Sequence, residues 1–231
     1  MRTCAVPLLA LCVATACSDD TTRVEFFGSE GHDFSAQERD IVEDIARTSV
    51  SEVRKLLPKL PRQVTIRVQL GDDVIAETGE NGTAMQPETV MWTVDPTHRG
   101  GVAAVARRWL RACLYHELHH LVRDAAVSRK SMLDMAVTEG MASAFERDFA
   151  RVNVPWAQYP PEAAAWVEEL RALPEGTARR AWLFHHPDGR RWIASRAGTY
   201  LVDRAMRASG ESAAALVALP TARVMRLASA P

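Results

Sequence analysis

The chain has 231 residues, 47% of them apolar and 25% charged, with a formal net charge of −1. Such values suit one globular domain with a sizeable core. They offer no basic footprint of the kind nucleic acid requires, so no nucleic-acid partner is expected.

In chain order, Arg2 and the apolar stretch Ala5 to Ala16 read as a secretory signal. The stretch is shorter than the roughly 20 apolar residues a bilayer span needs. It ends Val13-Ala14-Thr15-Ala16-Cys17, which resembles a bacterial lipobox. The expectation is a signal peptide over 1–16, lipid on Cys17 and a flexible tether over 17–34. That would anchor the protein to a membrane of the bacterial cell envelope, with plain secretion after cleavage behind Ala16 as the alternative. Of four cysteines, Cys4 and Cys12 fall in the signal and Cys17 takes the lipid. Cys113 is left without a disulfide partner and reads as a buried structural thiol.

Ser35 and Glu38 form a capping-box pattern ahead of Ile41, Val42, Ile45, Val50, Val53 and Leu57, predicting a helix over about 36–57. Val64 to Leu70 alternates as a strand with one buried face. A glycine-rich loop with Gly79 and Gly82 follows, and then a second strand over Thr89–Val94. That second strand is a candidate peptide-binding edge, or an interior strand. Helices are predicted over about Val102–Val122, from Ser131 to about 151, and over 162–173, 190–208 and 221–228. The expected fold is α+β: a single helix-rich domain over 35–231 with a small sheet.

The chemistry concentrates at His116-Glu117-Leu118-His119-His120. A helix turns about 100° per residue, so His116 and His120 return to one face and can share an ion. Glu117 flanks that ion and can take a proton from solvent activated by it. A catalytic zinc usually has three protein ligands. The pattern with a third His six residues on is excluded, because Arg123 and Ala126 stand where Gly and His would be needed. Glu139, on the next helix, is the leading third ligand, and His119 is its rival. Gly140 offers close approach of the two zinc helices.

The run His116–His120 followed by Val137-Thr138-Glu139-Gly140-Met141-Ala142 resembles the bacterial predicted Zn-dependent proteases of the domain of unknown function family 2268. Ala197-Gly198-Thr199-Tyr200-Leu201-Val202 is similar to that family's C-terminal Gly-Tyr helix, and the likeness runs from about 60 to the end. The resemblance implies a gluzincin-like zincin fold, in which a sheet edge pairs with peptide above two helices holding one zinc ion. It makes His116, His120 and Glu139 ligands and Glu117 the base; Tyr200, in the family-like C-terminal helix, is the candidate oxyanion donor, with Tyr115, His185 and His186 as weaker candidates. Ser143 stands where thermolysin-type enzymes place an Asp that supports a His ligand, so that support must come from elsewhere.

The function expected is a zinc metallopeptidase acting on peptide or protein substrates. The rivals are a metal-stabilised, non-catalytic envelope lipoprotein and a hydrolase of non-peptide amides. An intact Glu117 argues against the first, because a structural site needs no base.

Overall fold

The computed structural model describes residues 20–230. The signal segment 1–16 and Cys17 lie outside the described residues. No described helix is long and apolar enough to cross a membrane.

The architecture is α+β, with one four-stranded sheet in the order β1-β2-β4-β3 and helices packed against it. Strand β1 (Thr21–Phe27) lies within the expected tether and corrects it. Its apolar residues Val24 and Phe26 pack on the core, Phe26 meets Phe34 edge-on at 5.1 Å, and the strand runs parallel to β2 (Gln63–Leu70). β2 buries Val64, Ile66, Val68 and Leu70, the alternation its sequence shows. β4 (Thr89–Val94) lies between β2 and β3, so it is an interior strand.

The free edge near the HExxH helix is instead β3 (Glu80–Met85), antiparallel to β4, in the stretch expected to be loop. Its composition argues against a strand, since Gly82 is a poor strand former. Tertiary packing decides otherwise. A Cβ on Gly82 would stand 2.5 Å from Cys113 Sγ and 2.7 Å from Glu117 Cγ, so only glycine lets this edge lie directly on the helix.

Helix α1 (Ala36–Leu56) starts at the expected capping box, where Ser35 Oγ accepts from the Glu38 amide and Glu38 accepts from the Ser35 amide. Helix α2 (Gly101–Val105), a π-helical turn (Ala106–Leu110) and α3 (Arg111–Ala126) follow without a break. The next helix, α4 (Met132–Phe145), opens on a second capping box, Ser131 with Asp134, and runs into a π-helical turn (Glu146–Ala150). Arg151, at φ 59°, ends it. Helices α5 (Ala163–Ala172), α6 (Arg179–Leu183), α7 (Ile193–Ser209) and α8 (Thr221–Ala228) complete the domain.

The close approach at Gly140 joins α4 to α7, not α4 to α3. A Cβ there would fall 2.0 Å from the Gly198 carbonyl carbon, and one on Gly198 would fall 1.7 Å from the Ala136 oxygen. Backbones in direct contact fix where α4 sits, and with it the height of Glu139.

Candidate metal centre

Helices α3 and α4 bring three side chains together. His116 Nε2 lies 3.4 Å and His120 Nε2 3.5 Å from one carboxylate oxygen, Glu139 Oε2. One ligand atom from each lies within 4.8 Å of the others. Tetrahedral ligands with bonds of about 2.0–2.2 Å stand about 3.3–3.6 Å apart. The two distances to Glu139 match that spacing, so the three residues could hold a zinc ion. Burial works to raise the Glu139 pKa, but the His120 and His116 rings beside it prevail and hold it well below the usual carboxylate range. Burial likewise opposes a charged His116, yet its hydrogen bonds to Glu139 and Glu146 hold its pKa well above the ordinary value.

Glu146 supplies the support that Ser143 does not. Its Oε2 lies 3.1 Å from His116 Nδ1 and accepts from Trp156 Nε1 at 3.0 Å. A carboxylate behind a ligating imidazole fixes the ring's orientation and tautomer. Two helical turns after Glu139 on the same helix, Glu146 was findable from its spacing. Trp156, which comes from a separate 3-10 turn (Pro155–Ala157), was not.

Glu117 is buried beside the triad. Its Oε2 accepts from the Ala84 amide on β3 at 2.8 Å, which holds one oxygen in place. Burial raises its pKa and its charged neighbours adjust it: the two histidines pull it down, Glu139 pushes it up. These groups line a cavity of about 300 Å³, walled also by Glu80, Gly82, Asp124, Arg129, Phe184, Trp192 and Ser195.

A family described as predicted Zn-dependent protease (DUF2268) matches residues 42–226. The chain belongs to this family. No curated protein and no solved structure matches it.

Not every expected site residue of this DUF2268 protein reaches the cavity. His119 is fully buried against Phe145 with ring centroids 5.3 Å apart, and it is not in the ligand cluster. Adjacent to His120, it is turned about 100° away from the shared face. Tyr200 does not line the cavity, and its ring packs edge-on against Tyr159 at 5.5 Å. On α7 it is Ser195 that faces the cavity, and five residues later the helix has turned Tyr200 to another side. Tyr115 donates to Glu52 and accepts from Arg111, tying α3 to α1. His185 lines a smaller neighbouring cleft, and His186 pairs with Asp188 at 2.8 Å. Cys113 is buried, as expected, but beneath the cavity, where burial and Glu80 push its thiol pKa well up.

Proposed function

We propose that the chain is a zinc peptidase in which His116, His120 and Glu139 hold the metal and Glu117 is the general base. One observation carries this reading: three ligand atoms converge within 4.8 Å of one another beside a fourth, separately held group, the Glu117 carboxylate. A purely structural site has no use for that fourth group.

When bound, zinc supplies Lewis acidity, which polarises a carbonyl and acidifies water. The chain's own groups do the rest. The Ala84 amide fixes Glu117 Oε2, leaving Oε1 to take a proton from the attacking water and pass it to the departing amine. Glu146 keeps His116 Nδ1 engaged, so that Nε2 stays available to the metal. The Ala84 amide points off the free edge of β3, and Gly82, two residues earlier, presents its own backbone groups the same way. With the Ala84 amide engaged by Glu117, the Gly82 backbone groups are those an extended peptide would pair with in adding as a further strand. The apolar rings of Phe184 and Trp192 would shield the reacting bond from bulk water.

The test pairs metal analysis with cleavage of a broad peptide library. The wild-type chain should hold one zinc and cleave. Glu117→Gln should keep the zinc and lose cleavage. Stoichiometric zinc with no cleavage of any peptide by the wild type would favour a non-catalytic, metal-stabilised module.

We also propose export and lipid attachment at Cys17, which rests on the small residues before that cysteine. Mass spectrometry of the mature N-terminus tests it, and an unmodified Cys17 would overturn it.

A further inference from the structure

The peptidase reading uses His116, Glu117, His120, Glu139 and Glu146, and leaves one charged pair on the cavity wall unexplained. Asp124 lies one turn beyond His120 on the face of α3 that carries both imidazoles. Arg129, from the loop between α3 and α4, folds back so that its Nη2 donates to Asp124 Oδ2 at 2.6 Å.

Among the described residues the cavity lining includes five carboxyl side chains, Glu80, Glu117, Asp124, Glu139 and Glu146, and Arg129 is its one permanent cation. A guanidinium carries five N–H donors in a planar fork. Among the described residues Arg129 makes this hydrogen bond and no other. None of its nitrogens is among the buried polar atoms left unpartnered, so its remaining donors stay accessible. Asp124 thus braces the group on one side and leaves the rest of the fork open.

A braced, half-used guanidinium beside a catalytic centre matches a planar anion. Two parallel N–H···O bonds to a carboxylate are the strongest use of that geometry, and a neutral amide cannot make them. The carboxylates on the rest of the wall disfavour an anion, which leaves Arg129 and, when bound, the metal as the groups that attract one.

We propose that Arg129 is the specificity residue for a substrate carboxylate, either the C-terminus of a peptide or an Asp or Glu side chain near the scissile bond. The inference rests on the peptidase reading for what the cavity admits, but its test reads binding without turnover.

Zinc-loaded full-length chain carrying Glu117→Gln would be titrated calorimetrically with three N-acetylated peptides. These are one with a free C-terminus, its C-terminal amide, and that amide with an internal Glu. At least one carboxylate form should bind about tenfold or more tighter than the plain amide. Whichever form gains identifies the source of the carboxylate. Adding Arg129→Gln should erase the difference with zinc content unchanged. Arg129→Lys, which keeps charge without the fork, should recover part of it and covers the event that the Gln variant folds poorly.

Equal binding of all three peptides, or binding of none, overturns the proposal. So does a preference that survives Arg129→Gln, which would assign the carboxylate to the metal. If the wild type cleaves nothing while the Arg129-dependent preference stands, the peptidase reading fails and this one does not.

Discussion

Helices α3 and α4 meet on two sides, and the two are built by opposite rules. On the inner side Arg123 is fully buried, and neutral acceptors surround it: Thr138 Oγ1 at 3.1 Å, the Val217 carbonyl at 2.8 Å and the Leu219 carbonyl at 3.1 Å. That is a protein meeting most of its own polar groups, with the Arg123 Nη2 left unpartnered. On the cavity side the His116 and His120 Nε2 atoms each lie 3.4–3.5 Å from one Glu139 oxygen, and the three ligand atoms share one small space. The same two helices are therefore closed by protein on one side and left for a guest on the other. Polar burial by itself does not mark a site. Polar atoms that converge without completing one another do.

The sharpest way to break the comparison is to remove one arm of the convergence. Glu139→Ala should lose stoichiometric zinc and, with it, at least about a thousandfold in peptide cleavage, because two imidazoles alone bind weakly. Metal analysis after dialysis and a cleavage assay would check both. Retention of tight zinc would mean that another group completes the site. The inner side should respond in stability instead. Arg123→Met leaves two carbonyls and a threonine without their donor, and should cost about 2–4 kcal/mol in denaturant unfolding. If the protein stays folded, its zinc content should remain near stoichiometric.

A finer probe separates holding a ligand from being one. Glu146→Gln removes the charge behind His116 and keeps an acceptor for Trp156. Metal affinity should fall about 10–100-fold while the melting curve of the metal-free chain barely moves. A chelator competition reads the first and calorimetry the second. A drop in stability as large as that of Arg123→Met would place Glu146 with the packing groups.

How much of this was legible follows the same division. The triad and Glu117 were readable because a helix imposes a fixed period, and His116 and His120 obey it. The capping boxes at Ser35 and Ser131 were readable because their chemistry is local. β3 was not, because Gly82 lowers strand propensity and its purpose, contact with Cys113 and Glu117, is tertiary. β1 was hidden by the charged neighbours of Val24 and Phe26. Tyr200 was misplaced because a likeness in sequence gives no direction around a helix. Glu146 lay in the open, at the spacing that puts it on the face of Glu139, but π-helical winding and Trp156 complete its role and neither shows in the local pattern.

The smallest expected effect concerns a buried carboxyl that sits between the two regimes. Glu80, at the start of β3, accepts from Trp92 Nε1 at 2.9 Å and lines the cavity. Burial pushes its pKa up to about 7, against hydrogen bonds from Cys113 and Trp92 that favour the charged form. The folded state therefore holds this proton more tightly than the unfolded chain, whose glutamate titrates near the ordinary value. Between those two pKa values the folded state binds more protons, so stability is greatest below the unfolded value and declines as pH rises through the folded one. From about pH 5.5 to about 7.5 the decline should be on the order of 2 kcal/mol. Glu80→Gln keeps an acceptor for Trp92 and carries no charge at any pH. It should flatten that slope and leave the variant more stable than wild type on the alkaline side, as urea titrations across the range would show. A slope that persists in the variant would mean that the pH dependence belongs to other groups. Glu80 would then be one more buried polar residue held by the protein's own groups, and no part of the charged wall that faces the guest.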